Sequence, residues 1–277
     1  MTSDEEFSYV SNKLRTFFLS RNFIECHPQS ELCILAACED PSTITIFNYA
    51  GKTLPLPQTG QMHLEHKLCR NPGAPGYFCV TTSYRNEPNP VPGRHDLVFP
   101  MFEFELKGSL EDLIQLETDL LIHLGYKPCS SGKFPQGTYD NVAREYGVHT
   151  LDHIHEKYLE RDYGDVYFLT DFPEHTSPFW NMSRDANTGR ARKVDVILSG
   201  IETFGSAERS SDKTQMRETF YTISDGEYAQ ILFDSFGCER VEEELNGFLN
   251  LNFIQRCGGG IGMTRLIKSM HSLGLIF

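Results

Sequence analysis

A chain of 277 residues, 39% hydrophobic and 23% charged, has the composition of a soluble globular enzyme and can bury a large core in one large domain or two small ones. A net charge of −13 argues against a broad nucleic-acid-binding face, although a local basic patch can sit on an acidic protein. Eight Cys without a CxxC pair argue for reduced thiols, no apolar run approaches the ~20 residues of a membrane helix, and the acidic start MTSDEEFSYV has no signal-peptide pattern, so a cytoplasmic location is expected.

The first predicted element is a helix over Glu5 to Leu19, with Phe7, Val10, Leu14, Phe17 and Phe18 at helical spacing. Asn22 to Pro28 then reads as a strand ending at the proline. Ile44 to Pro55 reads as a hairpin turning at Ala50-Gly51.

Thr82 to Lys107 reads as two strands joined by a long loop. Tyr84, Arg85 and Glu87 are placed on the first strand. Pro88, Asn89, Pro90, Pro92 and Gly93 make the loop, which presents Arg94 and His95. Two Arg and a His at one sheet end suit a polyphosphate, because the planar guanidinium grips phosphate oxygens in pairs. Glu103 and Glu105 lie two apart on the second strand and face the same side. Buried there, two carboxylates are costly unless something cationic meets them.

A helix follows over Ser109 to Leu124, capped by Ser109 with Asp112 and closed by Gly125. Its stripe, which includes Glu117, is assigned only a packing role. Lys127 to Thr138 reads as a loop. His149, His153 and His155 invite a metal reading, but no carboxylate motif or Cys completes a site. Val166 to Met182 reads as a strand, a proline turn and a second strand. Lys193 to Arg209 begins as an alternating strand, turns at Gly200, and carries Asp195, Glu202 and Arg209. Two carboxylates at strand ends can hold Mg²⁺ together with substrate phosphates, or form a surface ion-pair cluster. Helices are expected over Asp225 to Phe236 and Val241 to Leu249. The run Cys257-Gly258-Gly259-Gly260-Ile261-Gly262-Met263-Thr264-Arg265 then leads into a final apolar helix. Glycines there allow close backbone approach to a nucleotide, and a helix start favours anions.

The Arg-x-Glu strand, the Arg-His loop, Phe99 and the acidic strand together resemble the second signature motif of the class II aminoacyl-tRNA synthetases. The glycine run with Arg265 resembles the third, and the first helix and short strand resemble the first, although they also suit an ordinary helix–strand unit. The closest likeness is to the asparaginyl and aspartyl branch and to asparagine synthetases built on the same catalytic domain. It covers roughly Glu5 to Ile276. The resemblance implies an α/β fold of α+β type, an antiparallel sheet flanked by helices, as a single catalytic domain over 1–277 without an anticodon-binding domain. It also implies a homodimer through the first motif.

The activity implied is attack of an amino-acid carboxylate on the α-phosphate of ATP, giving an aminoacyl-adenylate. By resemblance, Arg85 neutralises the α-phosphate, Glu87 reads the adenine or ribose side, and Phe99 stacks on adenine. Arg94, His95 and Arg265 hold the outer phosphates, with Gly260 and Gly262 beside the nucleotide. Asp195 and Glu202 hold Mg²⁺. Gln61, in a segment Gln58-Thr59-Gly60-Gln61 of asparaginyl form, and Glu103 receive the α-ammonium, and Arg209 the side chain of the amino acid. Glu208 or Glu202 could accept from an amide NH₂ at that end. Two departures stand out. Leu64 occupies the position of an aspartyl-branch Lys, and Thr264 replaces the usual Glu, as in ammonia-dependent asparagine synthetases.

These features lead to an expectation of aspartate activation and amidation by ammonia, giving asparagine, AMP and pyrophosphate. The alternatives are transfer of an activated aspartate or asparagine to tRNA or another acceptor, and a binding paralogue without catalysis. The acidic charge disfavours ordinary tRNA charging, and no membrane partner is expected.

Overall fold

A computed structural model describes residues 3–28, 34, 43–92, 94 and 96–276. The chain runs α1 (Asp4–Ser20), β1 (Ile24–Glu25), a hairpin of β2 (Ile46–Tyr49) and β3 (Lys52–Pro55), α2 (Gln61–Arg70), β4 (Gly76–Tyr84), β5 (Val98–Lys107) and α3 (Leu110–Leu124). It continues with β6 (Gln136–Thr138), α4 (Tyr139–Glu145), α5 (His153–Tyr163), β7 (Val166–Phe172), β8 (Ala191–Leu198) and β9 (Ile201–Arg209). The last elements are α6 (Lys213–Thr222), α7 (Glu227–Phe236), α8 (Cys238–Leu249), β10 (Arg256–Gly262) and α9 (Met263–Ser272).

Eight strands form one sheet in the order β1-β4-β5-β10-β9-β8-β7-β6. Its interior pairings are antiparallel, while β1 and β6 add in parallel at the two ends. Two-residue turns at Ala50-Gly51 and Ser199-Gly200 have positive φ at both positions, the geometry that matches strand twist in a tight hairpin. The helix at 110–124 has the expected Ser109–Asp112 capping box and a left-handed Gly125 closure.

The period-two pattern decides the two faces. Phe102 and Phe104 on β5, Val194 and Val196 on β8, and Cys257 and Ile261 on β10 point into a core shared with α1, α3 and α9. Phe18 sits at the centre of that core, 5.1–5.6 Å from the rings of Phe78, Phe102 and Phe104. The opposite face is covered in patches. Leu64 and Leu68 of α2 cover β4, Leu159 with Tyr139 and Val142 covers β7 and β8, and Trp180 with the α6–α8 helices covers another part. A cavity opens between these patches.

Three expectations need correction. The segment 166–182 has one strand, not two. Asp171, at φ 59°, marks a bulge, and a 3₁₀ turn at Glu174–Thr176 carries the chain off the sheet to a single bridge at Met182. The expected loop over 127–138 ends in β6. Arg85 and Glu87 lie just past β4, which ends at Tyr84. The glycine run, read only as a stretch leading into a helix, forms the central strand β10, where close packing across the ladder leaves no room for side chains. A Cβ on Gly258 would lie 2.0 Å from Glu105 Oε2, and one on Gly259 would lie 2.1 Å from Ser206 Oγ.

Candidate active site

The cavity has a volume of about 320 Å³, and its floor is a stretch of β5, β10 and β9. Met101 and Glu103 of β5, Gly260 and Gly262 of β10, and Gly205 of β9 form this floor. Register explains the arrangement. Glu105 pairs with Gly258, Glu103 with Gly260 and Met101 with Gly262, so each β5 side chain meets a glycine on β10. Gly258 to Gly262 is four residue steps, roughly 13 Å of strand. Two charged clusters lie at the two ends of that span.

The first cluster surrounds Arg209, which is 4% exposed. Arg209 Nε and Nη2 donate to Glu105 at 3.4 and 3.3 Å, and Nη2 also donates to the Gly258 carbonyl at 3.1 Å and to Gln61 Oε1. Glu65 Oε1 is 3.7 Å from Arg209 Nε. Glu65 also accepts from Asn181 Nδ2 at 2.8 Å and from Arg256 Nε at 3.0 Å. The buried set therefore holds two Arg and two Glu, which for Glu105 meets the expectation that something cationic must compensate a buried β5 carboxylate. Burial pushes the Glu105 carboxyl upward and Arg209 pulls it back.

Glu103 has a different solution. It accepts from the Gly60 N–H at 2.8 Å, from Thr81 Oγ1 at 2.5 Å and from Thr59 Oγ1. Burial raises its carboxyl, and these donors together with the Arg85 charge oppose the rise.

The second cluster lies where α9 begins. Arg265 Nη1 donates to the Glu202 carbonyl at 2.7 Å, and Nη2 donates to the Arg94 carbonyl at 3.3 Å. The Arg94 guanidinium forms a two-point pair with Glu156 at 3.1 and 2.5 Å. The Arg85 guanidinium sits 5.6 Å over the Phe99 ring. Arg85, Glu87, Arg94, Phe99 and Arg265 all line the cavity, as do Gln61, Glu103, Glu202 and Arg209. His95 lies outside the described residues.

The two expected metal ligands are placed differently. Glu202 Oε1 and Asp195 Oδ1 approach the point where a Gly205 Cβ would sit, at 3.2 and 3.8 Å. Glu202 lines the cavity, whereas Asp195 lies beside it with Oδ2 at 3.2 Å from Lys193 Nζ. Glu202 fits a Mg²⁺ that takes most of its ligands from phosphates and water. Asp195 can supply one further oxygen to the same point. Among the described residues, no group of three or more His, Cys, Asp or Glu gathers as a metal site. His155 instead closes the α5 cap with Asp152.

Several residues escaped the sequence reading. Neither Glu208 nor Glu202 is the acceptor beside Arg209. Glu208 turns to the Leu110 N–H and Arg192, and Glu202 belongs to the Arg265 end. Glu105 and Glu65 fill that place. The one signal for Glu65 was a carboxylate on the buried face of α2, among Met62, Leu64 and Leu68. Arg256 and Asn181 carried no local pattern. Glu156, between His155 and Lys157, was given no site role.

A cavity on a largely antiparallel sheet flanked by helices, with arginines at one end and an ion-paired pocket at the other, fits the class II synthetase type of catalytic domain. The chain belongs to the class II tRNA synthetases (D, K and N), whose family model matches residues 5–276.

Among its relatives is the aspartate–tRNA(Asp) ligase of Pyrococcus horikoshii, 23% identical over 300 residues, covering 97% of this chain and 65% of the relative. The aspartate–tRNA(Asp/Asn) ligase of Methanopyrus kandleri is 23% identical over 226 residues, covering 72% and 51%. Similar folds include asparaginyl-tRNA synthetase from Pyrococcus horikoshii complexed with asparaginyl-adenylate, with TM-score 0.78, 19% identity and coverage of 97% of this chain and 65% of that one. The Entamoeba histolytica asparaginyl-tRNA synthetase in complex with asparaginyl-adenylate has TM-score 0.75, 19% identity and coverage of 98% and 63%. The chain thus spans between about half and two thirds of the length of these relatives.

Proposed function

We propose that this chain forms an aminoacyl-adenylate from ATP and aspartate or asparagine. The observation that carries the reading is a single cavity with the Arg85–Phe99 and Arg265 groups toward one end and Gln61, Glu103 and Arg209 toward the other. ATP would lie with its adenine on Phe99, Glu87 beside the base or ribose, and its phosphates along Arg85, Arg94 and Arg265, with His95 as a further phosphate ligand. Gly260 and Gly262 leave the nucleotide room on the floor. Glu202, with Asp195 behind it, would hold Mg²⁺, which neutralises phosphate charge when bound. The amino acid would rest with its ammonium near Gln61 and Glu103 and its side chain toward Arg209. Its carboxylate attacks the α-phosphorus, the bond to the bridging oxygen breaks, and pyrophosphate leaves. Arg85 stabilises the charge that gathers on the α-phosphate oxygens.

In the finer reading the amino acid is aspartate turned end for end, so that its α-carboxylate meets Arg209 and its side-chain carboxylate attacks the α-phosphorus; pyrophosphate leaves, and ammonia then displaces AMP from the acyl carbon to give asparagine. The donor fork of Arg209 and the Thr264-Arg265 form of the glycine segment support it. A second reading is activation at the α-carboxylate for transfer to tRNA or another acceptor. Glu105 and Glu65 favour it, because they neutralise Arg209 and could accept from a neutral amide.

Hydroxylamine trapping separates the two. The β-hydroxamate of aspartate, with asparagine formed when ammonia is supplied, is the expected result. Only α-hydroxamate and no asparagine would sink the first reading in favour of the second.

A further inference from the structure

Glu156 joins the parts of the phosphate end, and nothing in the nucleotide reading above gives it a role. Its side chain is 15% exposed and rises from the first turns of α5. Oε1 accepts from Arg94 Nη2 at 2.5 Å, and Oε2 accepts from Arg94 Nη1 at 3.1 Å. The same Oε2 accepts the backbone N–H of Glu202 at 2.8 Å. Arg265 holds the other side of both partners, through the Glu202 and Arg94 carbonyls. The base of this arrangement is fixed, because Lys157 Nζ donates to the Ser199 carbonyl at 2.9 Å and ties α5 to the β8–β9 turn.

We infer that Glu156 is a positioning residue for the polyphosphate and its metal ion, acting through Arg94 and through the backbone of Glu202. The inference rests on the ATP reading of the cavity. A guanidinium has five N–H donors, and an end-on pair through Nη1 and Nη2 uses one from each. The remaining N–H groups can serve a phosphate while Glu156 keeps its grip, and Arg94 does line the cavity. Arg94 stands on a loop rich in Pro and Asn. Fixing it in advance spares the nucleotide the cost of ordering a long side chain. Holding the Glu202 N–H sets the strand from which the Glu202 carboxylate reaches the metal. One carboxylate thus couples α5, the loop after β4, and β9.

Glu156→Gln tests this. Glutamine keeps the shape and an acceptor for the Glu202 N–H, but turns an NH₂ against the Arg94 fork. The readout is calorimetric binding of α,β-methylene ATP with Mg²⁺ to the full chain, with amino-acid affinity and unfolding midpoint measured alongside. Nucleotide affinity is expected to weaken roughly five- to tenfold, the half-saturating Mg²⁺ concentration to rise with it, and amino-acid affinity to hold. In an Arg94→Ala background the same substitution should add less than about a twofold loss. If Glu156→Gln fails to fold, Arg94→Lys removes the fork from the other side and should show the same weakening. Unchanged or tighter nucleotide binding in the folded variant, or an equal loss in both backgrounds, overturns the inference alone. Absence of nucleotide binding by the wild type overturns the ATP reading and the inference with it.

Discussion

Arg85 and Arg265 meet the cavity from different elements, and each is expected to face phosphate. A charge-assisted contact of this kind is worth about 1.5–3 kcal/mol, so each Arg→Ala variant should lose at least about tenfold in kcat/KM for pyrophosphate exchange while keeping its fold. Wild-type exchange in either folded variant removes the site. Glu117 shows a different residue-level consequence. It is fully buried on α3, accepts from Ser206 Oγ, and forms no ion pair among the described residues. Burial raises its carboxyl to about 8 from an ordinary 4.5. The folded protein then holds a proton that the unfolded chain releases, so this group's stability contribution is complete below pH 4.5 and is lost as pH rises toward about 8. Each unit of that window is worth about 1.4 kcal/mol. Glu117→Gln should flatten the slope of unfolding free energy against pH between those limits. An unchanged slope would show that Glu117 is ionised in the native state.

At the scale of elements, propensity and spacing made most of the fold legible. The α3 capping box, the Ala50-Gly51 turn and the alternation on β8 depend on residues close in sequence, so they could be read without tertiary knowledge. The glycine run was recognised, but its strand geometry was not, because the reason lies across the ladder in Glu105 and Ser206. The Arg209 environment was half legible. Arg209 itself had spacing in its favour, whereas Glu65, Asn181 and Arg256 come from three distant segments that only folding brings together. β10 yields a sharp expectation. Gly258→Ala would place a methyl 2.0 Å from Glu105 Oε2 and 2.3 Å from the Phe104 carbonyl. Since the second neighbour is backbone, the strand itself must shift, at a cost of about 1–3 kcal/mol. A chemical-denaturation midpoint equal to wild type would contradict that account.

Across the whole molecule, the described residues include no helix long and apolar enough to cross a membrane. β1 is the strand at one end of the sheet, and next to it Leu19 of α1 and Ile24 are 52% and 43% exposed. A homodimer joined there is expected, and a monomeric mass by light scattering at micromolar concentration would refute it. The sheet's glycine floor has another consequence, for how the protein can be altered. Where a wall is built from side chains, mutation can trim or extend it, but a floor of bare backbone has nothing left to trim. Changes at Gly260 can only shrink the chamber, as its neighbours Met101 and Gln61 already stand 2.6 and 3.1 Å from a Cβ placed there. Any lineage or laboratory selection that widens this chamber must therefore trim the side chains that line it, such as Met62, Met101 or Phe179.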